Sequence, residues 1–351
     1  MLVESPSRAS ADPTGPDQTP TRRNSVRAVG LAVAVGVLLL VCVLSVMIGA
    51  KPVPLGDVWH GLFQNTGVGN DVIIHDVRVP RTLLGLLVGV ALGLSGAVMQ
   101  GLTRNPLAEP GLLGVNAGAA AAVVSAIAFL GVTDVSDYIW FAFAGAAVVS
   151  VVVYVLGGSR SSTPVRLALA GTAATAALYG YVNAVQLLNS AALDRLRFWT
   201  VGSLASADMD TVRRVAPFIL VGVVLALLIA RPLNAMEMGD DTARALGADI
   251  NRTRVIAMAA VTLMCGAATA ACGPIVFLGL MVPYLVRAIT GPDMRWILPY
   301  AAVLSPVLLL GSDVIGRLVA RPAELQVGIV TALIGGPVFI RLVRRKRMAQ
   351  L

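Results

Sequence analysis

Of the 351 residues, 57% are hydrophobic and 13% charged, half the ~25% charged share of soluble globular domains, so lipid is the expected solvent and a water-soluble fold is excluded. The net charge of +8 comes from basic residues that punctuate apolar runs without interleaved aromatics. They read as orienting charges, which excludes a nucleic-acid partner.

Residues 1–28 are dominated by Pro, Ser, Thr, Asp and Arg. They have nothing to bury and are expected to form a disordered cytoplasmic tail. The run 28–50 holds 23 residues without a charge, long for a signal-peptide core and right for a retained spanning helix. Charge-free runs recur at 82–103, 110–133, 138–159, 167–193, 215–230, 255–286, 296–312 and 325–340. The run 255–286 has 32 residues, more than the ~20 that cross a bilayer, and Gly273-Pro274 interrupts it where a helix would lose a hydrogen bond. Splitting it there gives an all-α membrane domain of ten spans over 29–345, followed by a short cytoplasmic tail at 346–351.

Placing the N-terminus inside puts 18 Lys and Arg residues on the inner side and 9 on the outer, so both termini are expected in the cytoplasm. Three loops are long. Those at 51–81 and 194–214 lie outside on this topology and that at 231–254 inside, and long loops are where partners dock.

In the second span Gly85, Gly89 and Gly93 repeat every fourth residue, with Ser95 and Gly96 after them. This is a smooth face for close helix contact, and a ligand or pathway role is the alternative. Arg81-Thr82 leading to Ser95-Gly96-Ala97 is echoed by Arg252-Thr253 leading to Cys265-Gly266-Ala267. The two spans start on opposite sides, the pattern of an inverted repeat or of chance similarity between Gly/Ala-rich helices.

Several chemistries are excluded. A P-loop needs a lysine after its glycines, and the only lysines, Lys51 and Lys346, lie in no such context. The chain is therefore expected not to be an enzyme. Gly93-Leu94-Ser95-Gly96 matches the G-x-S-G of intramembrane serine proteases, but the only histidines, His60 and His75, sit in the first outer loop, away from any span. An ion-coupled transporter would carry ionisable residues at mid-membrane, and here the spans hold almost none. Asp313 comes closest, with Arg317 one turn on as a structural pair. Cys42, Cys265 and Cys272 lie in apolar stretches with no C-x-x-C spacing, as small core residues do.

The inner loop encodes a short helix. Asp240 suits its N-cap, Asp241 its positive end, Arg244 follows, and Gly247 fits the stop. Gly239, Ala243 and Leu246 complete the segment, which is either a connector or a docking helix.

These residues carry a resemblance. Arg78-Val79-Pro80-Arg81-Thr82, the run from Gly93 through Gln100, Arg104-Asn105-Pro106-Leu107-Ala108-Glu109-Pro110 and on to Gly114-Val115, Trp199-Thr200-Val201-Gly202-Ser203, Leu246-Gly247, Gly273-Pro274 and Gly311-Ser312-Asp313 resemble the FecCD family of ABC permeases. The resemblance covers residues 29–345 in order. It implies a type II importer of ferric siderophores, haem or cobalamin in the cytoplasmic (inner) membrane. Two ten-helix permeases, identical or related, would enclose a path, with a cytoplasmic ATPase dimer below and an extracytoplasmic substrate-binding protein above.

The resemblance implies no directly bound cofactor, since the partner ATPase uses ATP and Mg. It places Gly239, Asp240, Ala243, Arg244, Leu246 and Gly247 at the ATPase-coupling surface and Arg78, Arg81 and Arg317 where the binding protein docks. Gly85, Gly89, Gly93, Ser95, Gly96, Gln100, Asn105 and Pro106 fall to helix packing or the pathway. Ferric siderophore import is the leading expectation, with haem or cobalamin import and an ion-coupled transporter as alternatives. Tyr284 and Gln326 depart from the family's usual histidine and proline.

Overall fold

A computed structural model describes residues 20–49, 51–63, 69–132, 135–157 and 164–348, and the regular structure among them is entirely helical. In lipid every backbone polar group needs an internal partner, and apolar runs of this length meet that demand as helices. In chain order the helices are α1 (Pro20–Met47), α2 (Leu55–Phe63), α3 (Asn70–Val72), α4 (Val79–Thr103), α5 (Val115–Leu130), α6 (Val135–Leu156), α7 (Pro164–Leu188) and α8 (Ser190–Trp199). There follow α9 (Met209–Leu228), α10 (Ala230–Glu237), α11 (Asp240–Ala245), α12 (Ile250–Cys272), α13 (Leu278–Thr290), α14 (Met294–Val319) and α15 (Val327–Met348).

Ten of these occupy the ten expected spans. Six segments, within α1, α3–α4, α6, α9, α12 and α14, are long and apolar enough to cross a membrane by themselves, and α5, α13 and α15 are shorter apolar helices. The tenth, α7, has 25 residues. The break inside 255–286 falls where Gly273-Pro274 requires it. Gly273 takes φ +75°, and α13 begins five residues later at Leu278.

Several boundaries are corrected. Helix α1 begins at Pro20, so residues 20–28 are helical and not disordered; Tyr300 Oη donates to Arg27 O at 2.7 Å, and the Arg27 guanidinium lies over the Trp296 ring. Once a span has nucleated a helix, extension through polar residues is inexpensive. At the other terminus α15 runs to Met348, three residues beyond the expected end of the membrane domain. Residues 1–19 and 349–351, with Arg8 and Arg160, lie outside the described residues. The second span does not open at Thr82 either. Helix is continuous from Asn70 to Thr103, passing through a π-turn at Ile73–Arg78 just before Pro80. Proline lacks the N–H that the α pattern needs, and a widened turn absorbs the mismatch.

Helix α4 is the core of the bundle, packed against α14, α12, α13 and α9. Its glycines let backbones meet. A Cβ built on Gly85 would lie 2.4 Å from Leu310 Cδ2, one on Gly89 2.5 Å from Pro306 Cα, and one on Gly93 2.7 Å from Ala301 O. All three face α14. At Gly96 the added atom would sit 1.7 Å from Gly279 O of α13. Gln100 continues this seam, donating from Nε2 to Leu280 O at 3.0 Å. The stripe is thus a packing face, and the G-x-S-G tetrad belongs to it. Ser95 is fully buried, more than five turns along the helix from His75, whose ring bonds Gly61 O.

At the α2 end of the bundle, the end of α1 is held by guanidinium groups. Arg78 donates to Val46 O at 2.6 Å, Met47 O at 2.8 Å and Lys51 O. Arg317 donates to Ser45 O at 2.9 Å and Ile48 O at 2.5 Å, and Arg321 to Gly49 O at 3.0 Å. These carbonyls have no intrahelical donor, and the C-terminus of a helix carries negative charge. Arg81 forks onto Asp313 at 2.7 and 3.0 Å and reaches Glu324 at 2.6 Å. The expected Asp313–Arg317 pair is present at 2.9 Å. Asp313 therefore serves two arginines, both as buried as itself.

Two outcomes follow from this packing. Asp313→Asn keeps the shape but strips Arg317 of its counter-charge and leaves Arg81 with Glu324 alone, and should cost about 3–5 kcal/mol of stability; an unchanged melting curve of the purified protein in detergent would remove the cluster from the fold's supports. Gly96→Ala should cost about 1–3 kcal/mol by overpacking. Gly36→Ala is the control, since an added Cβ there meets nothing, and equal melting of the two variants would count against the α4–α13 contact.

Candidate functional site

At the α2 end, sequence reasoning expected Arg78, Arg81 and Arg317 to face a docking partner. That expectation is corrected: the three are 4%, 5% and 2% exposed, spent on α1 carbonyls and on Asp313. A guanidinium with five donors can close off a helix end completely, and here it does. The groups left exposed at this rim are others. Lys51 donates to Asn70 Oδ1 at 2.9 Å, Asn70 Nδ2 in turn donates to Asp57 at 2.8 Å, and Arg213 pairs with Asp210 at 3.3 Å.

The second long loop is not loose. It contains α8, capped by Asn189, whose Oδ1 accepts from Ala192 N at 3.0 Å. The Trp199–Ser203 stretch that follows is laced to its neighbours. Ser203 N donates to Cys272 O at 2.8 Å and Gly328 N to Gly202 O at 3.1 Å. A Cβ on Gly273 would stand 2.1 Å from Trp199 O, which explains a glycine there independently of its φ. Beside this stretch lies a cavity of about 490 Å³, lined among others by Tyr138, Arg195, Trp199, Ser203, Ser206 and Gln326. Gln326, where the family usually has proline, is thus a cavity wall.

Midway through the bundle the structure shows a group that charge counting missed. Arg104 ends α4 in the left-handed region at φ 52°, and Asn105 Oδ1 accepts from Leu107 N at 2.9 Å. Pro106 follows, half-buried in the turn. The chain then re-enters the bundle. Leu112 O lies 1.7 Å from where a Cβ of Gly171 would be, and Gly171 is seven residues, or about 10 Å, into α7. Glu109 is carried with it, half-buried, and lies near the Tyr179 phenol of α7. Counting charges within the spans does not find this carboxyl, because it arrives on a loop, and a loop can sink below the rim when it packs on protein. Beside it, α7 exposes Thr172, Tyr179 and Asn183 on one face, and Tyr181, on the opposite face, shares a 2.7 Å hydrogen bond with Ser125.

At the opposite end, α10 and α11 form a short angled pair. The expected helix is there, but its cap differs: Gly239, at φ +109°, occupies the N-cap with no side-chain bond. Asp240 is recruited elsewhere, holding Arg254 at 3.0 Å and Arg104 through its other oxygen. Two arginines outcompete a backbone N–H for one carboxylate. Gly247 closes the helix at φ +82°, its N–H on Arg244 O at 2.9 Å and that of Ala248 on Ala243 O at 2.9 Å. This is the paired carbonyl closure that a left-handed glycine permits.

Ala243 is fully buried beneath the helix, whereas Leu246 is 63% and Met238 59% exposed. Arg244 pairs with Asp241 at 3.0 Å on the exposed face. The base is fixed by Glu237–Arg287 at 2.8 Å and by Asn234, which donates to Asp293 and accepts from Met294 N, both at 2.7 Å. The result is an amphipathic projection with two exposed apolar side chains, mounted on the bundle through these bonds.

The FecCD transport family matches residues 37–345. Over 325 residues the chain is 47% identical to the ferric enterobactin transport system permease protein FepD of Escherichia coli K12, covering 91% of this chain and 97% of that protein. It is 38% identical to the Fe(3+)-citrate import system permease protein YfmD of Bacillus subtilis, covering 93% and 97%. Among solved structures it is similar to a metal-chelate type ABC transporter in an inward-facing conformation, with a TM-score of 0.79 and 26% identity over 92% of this chain and 99% of the other. A helical bundle with spans of this length, re-entrant and rim elements in this order, and these relatives belong together: the chain is a multi-pass membrane protein of the FecCD transport family of ABC permeases.

Proposed function

We propose that this chain is the permease subunit of an ATP-driven importer that carries a ferric siderophore across the cytoplasmic membrane. The observation that carries the mechanism is the exposed α11 projection, anchored through Asp240 to Arg104 and Arg254 at the ends of α4 and α12. A partner that moved α11 would move the bundle's central helix with it. The substrate class rests on similarity to relatives named for ferric enterobactin and Fe(3+)-citrate.

On this reading the α11 rim and both termini are cytoplasmic, which agrees with the excess of Lys and Arg on that side. An ATPase dimer using ATP and Mg docks on Met238, Arg244 and Leu246, while Asp240, Gly239 and Gly247 shape the projection. The other rim, with α2, α8 and the cavity beside Trp199, receives the substrate-binding protein. The polar face of α7, with Thr172, Tyr179 and Asn183 exposed at membrane depth, lines the path shared with a second permease, identical or related. Polar groups at that depth belong on a water-filled surface.

Reconstitution with the ATPase and binding protein into vesicles loaded with ATP should give uptake of the iron chelate that vanadate stops and a protonophore does not. Uptake without the ATPase would sink the proposal. Gly247→Ala forces a Cβ into the left-handed region at about 1–2 kcal/mol, and should weaken ATPase docking by about tenfold while membrane insertion remains normal. Titration of the ATPase against the variant in nanodiscs checks this, and unaltered affinity would take α11 out of the interface.

A further inference from the structure

The surface of α6 and α12 holds a feature that translocation does not use. A groove of about 360 Å³ runs between them, lined by Val151, Tyr154, Val255, Met258, Ala259 and Leu263 among others. The one serine in its wall, Ser150, is turned back on its own helix, donating to Ala146 O at 2.8 Å. Exposed Val148, Val152 and Val155 flank it on α6. From Val255 to Leu263 the groove follows α12 for about two turns, or 12 Å. It is narrow, apolar and parallel to the helices.

Its mouth, at the α11 end, is charged. Arg252 lies one turn before Val255 on the same helical face as Ala259, is exposed, and makes no ion pair among the described residues. Arg254 is half-buried near the Tyr154 phenol, and Arg244 is close enough to repel it. Asp240 is shared by Arg254 and Arg104, Asp241 is taken by Arg244, and Asp249 caps α12 by accepting from Arg252 N at 3.0 Å. Four arginines against three aspartates leave a surplus of one positive charge. An aliphatic slot ending in one uncompensated cation is complementary to a single acyl chain ending in one uncompensated phosphate.

We propose that the α6–α12 groove is a binding site for an anionic phospholipid, with an acyl chain along Val255, Ala259 and Leu263 and the phosphodiester at Arg252. A zwitterionic lipid offers the same chain but brings its own ammonium to a site that already has excess positive charge. Because Arg254 joins this mouth to Asp240, the head group sits beside the mount of the docking helix. The inference rests on the membrane-spanning reading of α6 and α12 and is independent of which cargo is carried.

The test scores lipid retention, not transport. The full complex, reconstituted in equal phosphatidylglycerol and phosphatidylcholine and then extracted, should keep about one phosphatidylglycerol per permease in native mass spectrometry, preferred about tenfold over phosphatidylcholine. Arg252→Gln should abolish the preference without loss of chain binding, and Ala259→Trp, which fills the slot, should lower retention of both lipids. Equal retention of the two lipids by the unmodified protein would overturn the proposal, and needs no variant to fold. So would an Ala259→Cys disulfide between two permease copies, because the groove would then be a subunit contact. Failure on either count leaves ATP-driven uptake untouched, so the two readings fail separately.

Discussion

The carbonyl end of α1 has to be neutralised inside the bundle, and the rest of one rim is arranged around that need. Three guanidiniums from α14, its C-terminal turn and the π-turn ahead of α4 supply the donors. Asp313 then pairs with Arg317 and Arg81, and Glu324 with Arg81. Removing Asp313 leaves Arg317 buried without its counter-charge, which is far more costly than never having placed the pair there. The first, fourth and fourteenth helices are therefore tied at one end by electrostatics. Along their length α4 and α14 are joined by glycine contacts that need no charge at all.

Much of this was legible in the residues. Ten spans follow from charge-free runs because lipid leaves helices as the only economical backbone for a single apolar run, and the break at Gly273-Pro274 follows from proline's missing donor. The Gly85 to Gly96 stripe and the Gly247 stop were readable because each requires a glycine for a local reason. The Asp313–Arg317 pair was readable because it is four residues apart on one helix.

Other features depend on distant partners. Nothing local to Arg78 or Arg81 says whether its guanidinium meets solvent or the carbonyls of a helix some thirty residues upstream. A rim position in sequence was therefore mistaken for a rim position in space. Asp240 shows the same limit in the other direction: its N-cap propensity is genuine, but Arg104 and Arg254 offer it more. Glu109 escaped because a charge just before an apolar run reads as the edge of a loop, and only the contact of Leu112 with Gly171 shows that the loop is drawn inward.

That contact has a mechanical corollary. Carbonyl oxygen against α-carbon leaves no compressible side chain between Leu112 and α7, and Gly118 and Gly145 touch backbone to backbone between α5 and α6 in the same way. Such joints transmit displacement without slack. The fifth, sixth and seventh helices are consequently joined as one stiff plate, and a push on any of them would tilt all three as a unit, not crumple them locally.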